Sequence, residues 1–207
     1  MSFLSIAAPE TAEFSEKKSK FIAYALPIQS EQELKPIIEK LHQEHPQARH
    51  ICYAFRLGAK KDIWKANDDG EPSNSAGQPI LGQIKSYDLT NIIVLVVRYF
   101  GGVKLGVGGL MNAYKEAAHL ALSQAEIIED FEKESLIFEV PLSSVDHARY
   151  LLKREGVKDY TEEFGLQCIF KVLVSKENFS NFVKALDALP EKHIATHEKN
   201  NPTFPLS

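Results

Sequence analysis

The chain has 207 residues, of which 44% are hydrophobic and 25% are charged. This balance is that of a globular protein and excludes a disordered or fibrous chain. The net charge is −4, so a general attraction to nucleic acid or to an anionic membrane is not expected. The two cysteines, Cys52 and Cys168, are far apart and form no CxxC motif, which excludes a disulfide framework and a thiolate zinc cluster.

No segment has the pattern of a membrane span or of a secretory signal. The longest strongly apolar run covers residues 92–97, far short of the roughly 18–20 residues that a span requires. The first ten residues, MSFLSIAAPE, lack the basic start of a signal peptide. We therefore expect a cytoplasmic protein without a membrane partner.

The first part of the chain, residues 1–134, predicts a mixed domain of strands and helices. The predicted elements are, in chain order, strands at 10–15 and 20–27, a helix after a capping box at Ser30 and Glu33, a strand at 51–55, a short helix at 79–85, a strand at 91–99 and a long helix with Leu110, Tyr114, Ala117 and Ala121 toward the core. Pro36 favours a later start for the regular part of the first helix, because an interior proline removes a hydrogen bond.

The second part, residues 135–207, predicts the order βαββαβ, which is the ferredoxin-like pattern. The predicted elements are a strand with Leu136, Phe138 and Val140, a helix capped by Ser143 or Ser144 and ended by Gly156, a strand at 157–164, a strand with Leu166, Cys168, Phe170, Val172 and Val174 on one face, a helix with Phe179, Phe182, Val183 and Leu186, and a short strand within 192–199. The acidic segment 126–135 separates the two parts. Their net charges are −3 and −1, so neither is a basic module.

An acidic, turn-rich segment at residues 67–79 is the first that differs from ordinary scaffold. Its sequence, NDDGEPSNSAGQP, holds three acids, two glycines and two prolines. The composition favours turns, and Asp68, Asp69 and Glu71 carry oxygen ligands that suit a hard cation. Because the acids are bunched and lack the EF-hand spacing, we favour a structured turn or a contact loop and expect no metal site.

The second such segment, residues 98–114, joins a strand of buried type to a helix. Five glycines fall within nine residues: Gly101, Gly102, Gly106, Gly108 and Gly109. Either they bring the backbone close to an anion at the helix N terminus, with Arg98 and Lys104 nearby, or they allow close packing of strand and helix. The segment matches neither a Walker loop nor a dinucleotide fingerprint.

Polar side chains around these segments leave further roles open. Arg98 is either a ligand clamp or the internal partner of one of the three loop acids. Asn112 and Lys115 either extend an anion site or belong to the solvated face of the helix. His50 and Cys52 lie on one side of a strand, but residues two apart are about 6.5–7 Å apart, too far for a nucleophile and its base. His50 remains a candidate ligand contact, and we identify no catalytic residue.

Three segments carry a specific resemblance to a known family. They are ARHICYA at 48–54, NDDGEPSNSAGQPIL at 67–81 and VRYFGGVKLGVGGLMNAY at 97–114. In this order they resemble the YigZ/IMPACT family, and the two-domain layout extends the resemblance over nearly the whole chain. It implies a left-handed βαβ domain at 1–134, like the second domain of a small-subunit ribosomal protein. It also implies a ferredoxin-like domain at 135–207, like those of elongation factor G.

The resemblance implies a role in translation. Eukaryotic relatives are regulators of translation that bind a coactivator of the starvation-responsive initiation-factor kinase, and they carry an additional N-terminal domain that this sequence does not contain. Bacterial relatives often have a lysine where Gln78 stands, which marks Gln78 as a weaker candidate for an anion contact. Some bacterial relatives carry peptidase labels, but the sequence contains no peptidase motif.

These observations lead to two functional hypotheses. The first is a noncatalytic, translation-associated regulator or binding protein that contacts RNA, the ribosome or a translation factor and needs no cofactor. The alternative is an enzyme or binder of a phosphorylated small molecule, at a cleft between the acidic and the glycine-rich segments. Both hypotheses place the ligand near the same candidate residues: His50, Asp68, Asp69, Glu71, Gln78, Arg98, the five glycines, Lys104, Asn112 and Lys115.

Overall fold

The computed structural model describes residues 1–189 and 193–196 of the chain. These residues form two compact units. The N-terminal unit comprises residues 2–130, and the C-terminal unit comprises residue 1 together with the described residues from 131 onward. The described elements mix strands and helices in both units, so the α+β class is confirmed. No helix in the described part of the chain is long and apolar enough to cross a membrane.

The N-terminal unit is built around a five-stranded sheet. Its elements are β1 (Ser2–Ile6), β2 (Glu10–Glu16), β3 (Ser19–Pro27), α1 (Leu34–Glu44), β4 (His50–Leu57), β5 (Ile63–Asn67), α2 (Gly77–Ser86), β6 (Ile92–Tyr99) and α3 (Gly106–Gln124), followed by β7 (Ile127–Phe131). The strand order is β2-β3-β6-β4-β5, and each neighbouring pair is antiparallel. A separate two-stranded sheet pairs β1 with β7.

The apolar run of β6 explains why helices cover both faces of this sheet. Successive side chains of a strand point to opposite faces, so a strand that is apolar at every position needs cover on both sides. Ile92, Val94 and Val96 belong to the core under α2 and α3. Ile93 and Leu95 belong to the core under α1. The sheet is therefore the middle layer of three.

The start of α1 shows how its proline is accommodated. The predicted capping box is present, since Glu33 accepts a hydrogen bond from the Ser30 backbone N–H at 2.9 Å. A 3₁₀ turn at Glu31–Glu33 follows, and the regular helix begins at Leu34. Pro36 thus lies in the first turn of α1, where a backbone N–H would have no acceptor within the helix.

The C-terminal unit has the predicted βαββαβ order. Its elements are β8 (Lys133–Val140), α4 (Val145–Arg154), β9 (Asp159–Phe164), β10 (Cys168–Ser175), α5 (Phe179–Leu186) and β11 (His193–Thr196). The strand order β11-β8-β10-β9 is that of a ferredoxin-like sheet. The predicted last strand is present at 193–196, while residues 192 and 197–199 of that prediction lie outside the described part. One face of β8 and β10 packs against α4 and α5 in a single core.

The structure differs from the sequence prediction in five details: three strands that were not predicted, the position of Leu166 and the cap of α4. β1 and β5 were not predicted, because strands of five residues give little alternation to detect, and β5 has no buried residue. β7 lies inside the acidic segment that the sequence suggests as a separator. Leu166 is fully exposed in the β9–β10 turn rather than on the buried face. Ser144 occupies the N-cap position of α4, but its side chain makes no capping hydrogen bond.

Candidate anion-binding site

A cavity of about 330 Å³ opens where β4, β6 and α3 of the N-terminal unit come together. We call it the Arg98 pocket. It is lined by Arg49, His50, Glu71, Pro72, Arg98, Phe100, Lys104, Leu105, Gly106 and Leu110. The acidic segment and the glycine-rich segment, which are far apart in sequence, therefore do meet in one cavity.

Arg98 is the most deeply placed cation of the pocket. It stands on β6 opposite His50 of β4, and only 7% of the residue is exposed. Its Nη1 group donates to Glu71 Oε1 in an ion pair, so Glu71 is the one acid of the three that serves as the internal partner. Its Nε group is buried and has no hydrogen-bond partner among the described residues. The guanidinium is thus only partly satisfied by the protein.

Behind Arg98, a chain of buried hydrogen bonds holds Glu71 in place. The Tyr114 hydroxyl of α3 donates to Glu71 Oε1 at 2.9 Å, and Cys52 Sγ of β4 lies 3.3 Å from the same hydroxyl. Burial is the largest cause that raises the pKa of the Tyr114 hydroxyl, and it is also the largest cause that raises the pKa of the Cys52 thiol. Cys52 is therefore held as a neutral thiol, which is unsuited to nucleophilic attack.

The other two acids accept backbone hydrogen bonds, Asp68 from the segment itself and Asp69 from β4. The Asp68 carboxylate accepts backbone hydrogen bonds from Asn74, Ala76 and Gly77 at 2.8 to 3.0 Å, next to the start of α2. Asp69 Oδ2 accepts from the backbone N–H of Ile51 at 2.6 Å. Their oxygen atoms are engaged by the protein, and neither residue lines the Arg98 pocket.

His50 contacts this same turn. Its Nδ1 lies 2.7 Å from the Asp69 carbonyl oxygen, which can only accept, so Nδ1 carries the proton. Cys52 contacts the same turn, since its Sγ lies 3.0 Å from the Asp68 carbonyl oxygen. His50 and Cys52 thus each bond to a backbone oxygen of the acidic segment and not to each other, so they do not form a catalytic pair. Across the described residues, no group of three or more His, Cys, Asp or Glu side chains is placed to hold a metal ion.

The glycines of the second segment have different roles. A Cβ atom on Gly101 would lie 2.0 Å from the Lys18 carbonyl carbon, so this glycine permits close packing between the loop and the β2–β3 turn. Gly106 has a φ of +73° and opens α3 at the edge of the Arg98 pocket. No side chain caps the N terminus of α3, and no acid lies in its first turn. The packing hypothesis thus applies to Gly101, and the anion-site hypothesis applies to Gly106, which lines the Arg98 pocket.

The remaining candidates lie apart from the Arg98 pocket. Gly109, Asn112 and Lys115 line a second cavity of about 370 Å³, which shares Leu105 with the first. Gly102 and Gly108 line neither of the two cavities, and Gln78 is an exposed residue of α2 that lines neither. Helical spacing alone did not show which residues of α3 line the Arg98 pocket and which line the second cavity.

The sequence did not single out five of the lining residues as site candidates: Arg49, Pro72, Phe100, Leu105 and Leu110. Arg49 directly precedes His50 and is exposed, so its position beside a candidate residue was the available signal. Phe100 follows β6 and is 52% exposed, and the centre of its ring lies 5.6 Å from Arg98 Cζ. From the sequence, an aromatic residue directly after a buried strand is expected in the hydrophobic core. Only the structure shows that Phe100 lies at the cavity.

Comparison with known proteins assigns the chain to a family. Residues 17–122 match the Impact N-terminal domain, a range that includes the whole Arg98 pocket. The chain belongs to the IMPACT family. It is 42% identical over 113 residues to the IMPACT family member YvyE of Bacillus subtilis, covering 55% of this chain and 52% of that protein. It thus spans about half the length of this relative.

Two further similarities extend the comparison. An IMPACT family member of Thermus thermophilus is 42% identical over 137 residues, which cover 66% of this chain and 73% of that protein. A crystal structure of a hypothetical protein superposes with a TM-score of 0.68 at 28% identity, covering 96% of this chain and 98% of the other. The resemblance inferred from the three sequence segments is therefore confirmed, and the fold extends over both units.

Proposed function

We propose that this IMPACT family chain is a noncatalytic binding protein of translation, and that its Arg98 pocket receives an anionic group of the binding partner. The observation that carries the proposal is the deep, partly satisfied Arg98 guanidinium at a cavity that the acidic and glycine-rich segments form together. We further propose that the chain divides into domains at 1–134 and 135–207, as the family resemblance implies.

The charge inside the pocket supports an anionic ligand. Three cations, Arg49, Arg98 and Lys104, line it together with a single carboxylate, that of Glu71. Glu71 is already paired with Arg98, whereas Arg49 and Lys104 form no ion pair within the described residues. Guanidinium groups bind carboxylates and phosphates through paired hydrogen bonds, and the uncapped start of α3 favours negative charge. A local positive site thus exists on a chain that is acidic overall.

The buried chemistry supports binding rather than catalysis. A nucleophile must be ionisable and within reach of a base, but Cys52 bonds to a buried tyrosine and its pKa is raised. Glu71 is held by Arg98 and Tyr114, so it is poorly placed to exchange a proton with a ligand. The translation part of the proposal rests on the family, whose eukaryotic members the resemblance describes as regulators of translation.

Cosedimentation with purified ribosomes and retention on immobilised RNA test the proposal. Lys104→Ala removes an exposed charge of the pocket. The control Lys60→Ala removes another exposed charge, one that lies outside the pocket lining and forms no ion pair with the residues that the structure describes. For an RNA or ribosome partner, we expect Lys104→Ala to weaken binding and Lys60→Ala to leave it unchanged. Lys104→Ala should also make the slope of log K against log salt concentration shallower by about 0.7, which corresponds to one lost phosphate contact.

A purified translation factor is the third partner in the same assay. Binding to none of the three at about 50 mM salt contradicts the proposal, because electrostatic binding is strong under those conditions. An equal loss in Lys104→Ala and Lys60→Ala also contradicts it, because the pocket would then contribute nothing specific.

The size of the cavity favours one second candidate, a small phosphorylated ligand. Its volume of about 330 Å³ falls at the lower end of the range for small-molecule sites. Thermal unfolding with a panel of mononucleotides distinguishes this candidate. Saturable stabilisation by one nucleotide that Lys104→Ala abolishes supports the small ligand, and a flat panel excludes it.

A further inference from the structure

Four large apolar side chains lie exposed around the Arg98 pocket. They are Phe100, Val103, Val107 and Met111, each between 43% and 53% exposed, and we call them the apolar strip. Val107 and Met111 are four residues apart on α3, so they share one side of the helix. Each directly follows a residue that lines the pocket, Gly106 and Leu110.

The apolar strip is concentrated in the sequence and in the fold. All four residues fall between the end of β6 and the third turn of α3, on the segment that also supplies Lys104. A group of exposed apolar side chains beside polar ones is typical of a surface that another macromolecule covers. Water contact with these side chains is unfavourable, and it is relieved when a partner buries them.

From this arrangement we infer that the Arg98 pocket and the apolar strip form one docking surface for a protein segment, an amphipathic helix with an acidic side chain beside its apolar face. The inference rests on the proposed function and names the class of partner. Charge complementarity identifies the acidic group, because Arg49 and Lys104 form no ion pair in the described part of the chain, and Arg98 Nε has no partner there. The apolar face of the segment would cover Val107 and Met111.

The aliphatic character of the strip favours a protein over RNA. Protein surfaces that bind nucleic acid are more polar and more strongly basic than those that bind protein. Bases stack on aromatic rings, and Phe100 alone among the four side chains offers one. Val103, Val107 and Met111 instead match the apolar face of a helix, which docks through residues spaced three and four apart.

A panel of synthetic probes tests the inference on the full chain. The first probe is a fluorescent helical peptide of about 15 residues with leucine on one face and glutamate beside it. Matched peptides carry lysine in place of glutamate, or serine in place of leucine, and an oligouridine strand represents RNA. We expect the leucine–glutamate peptide to bind at least about tenfold more tightly than the other three, because it satisfies both the charge and the apolar surface.

Variants of the chain show whether the named surface is responsible. We expect Val107→Ser and Met111→Ser each to weaken binding of the leucine–glutamate peptide about tenfold. Leu166→Ser, at a fully exposed position of the C-terminal unit, is the matched control and should leave binding unchanged. Unfolding in urea checks that each variant is folded.

The outcomes separate the inference from the proposed function. Preference for oligouridine over every peptide, or equal peptide binding by Val107→Ser and the wild type, overturns the protein-docking inference. The proposed function stands in that case if ribosomes or RNA still bind through Lys104. Failure of all probes, ribosomes and translation factors overturns both.

Discussion

At the scale of single residues, the site depends on how Arg98 is buried. Glu71 neutralises it, Tyr114 and the ion pair hold Glu71, and the side chain of Glu71 is only 4% exposed. Loss of the partner carboxylate is costly for a charge this deep, because it leaves a largely buried cation uncompensated. The same burial leaves the Nε group without a partner in the described structure, so the side chain that pairs with Glu71 is also the one to which we assign anion binding.

The Arg98–Glu71 pair leads to a prediction about stability. We expect Glu71→Gln to lower the free energy of unfolding by about 3 kcal/mol, because it leaves a buried cation without its counter-charge. Glu13→Gln breaks the exposed Lys20–Glu13 pair and should cost less than about 1 kcal/mol. Urea unfolding followed by the fluorescence of Trp64 measures both variants. Equal losses would mean that the buried pair has no special weight.

At the scale of secondary structure elements, the site is positioned by β6, the loop that follows it and α3. The strand is buried on both faces, so it holds Arg98 rigidly at its end. The loop then passes against the β2–β3 turn at Gly101 and enters α3 at Gly106 with a positive φ. Close packing and the opening of the helix therefore depend on separate positions of the same short segment.

Three alanine substitutions in this segment should therefore change the free energy of unfolding by amounts that differ in sign and size. Gly101→Ala places a Cβ atom 2.0 Å from the Lys18 backbone, and we expect a loss of about 3 kcal/mol because the backbone must move. Gly102→Ala meets no atom within 4 Å but has a φ of +85°, and we expect a loss of about 1 kcal/mol.

Gly108→Ala completes the comparison as the favourable change. It lies in open space within α3, so we expect a gain of about 0.5 kcal/mol from higher helix propensity. Urea unfolding of the three variants measures the series. If Gly101→Ala were the mildest of the three, the close contact with Lys18 would not constrain the loop.

At the scale of the whole molecule, the two units have separate hydrophobic cores. The N-terminal unit packs its core on both sides of its sheet, and the C-terminal unit packs its core on one side. The chain contains a single tryptophan, Trp64, which lies in the N-terminal unit. Fluorescence of this residue therefore follows one unit, whereas far-UV circular dichroism follows both.

This arrangement predicts that a core substitution in one unit leaves the other unchanged. Phe170 is fully buried and stacks on Phe138 with ring centres 5.0 Å apart. We expect Phe170→Ala to destabilise the C-terminal unit by about 3–5 kcal/mol, because it removes a large buried ring and leaves a cavity. The dichroism transition should shift while the Trp64 fluorescence transition stays in place. A parallel shift of both would show that the units unfold together.

The sequence by itself determined most of the regular elements and the family of this protein. A continuous apolar run located β6, because both faces of that strand are buried. Apolar periodicity located the buried side of α3, and the alternation of Leu136, Phe138 and Val140 located β8, because burial of one face imposes a period on the sequence. The acidic and glycine-rich segments are distinctive enough in residue order to indicate the family on their own. The short strand β5 was missed because its residues are exposed or half-buried, so its sequence shows little alternation of apolar and polar residues.

Only the tertiary structure decided how the candidate residues are used. Antiparallel pairing of β4 with β6 places His50 opposite Arg98, and the turn that follows β5 brings Glu71 to Arg98. The same folding engages the carboxylates of Asp68 and Asp69 in hydrogen bonds with backbone N–H groups, and it leaves Phe100 half-exposed at the pocket. Such choices depend on contacts between residues distant in sequence, and composition and spacing describe only neighbours along the chain.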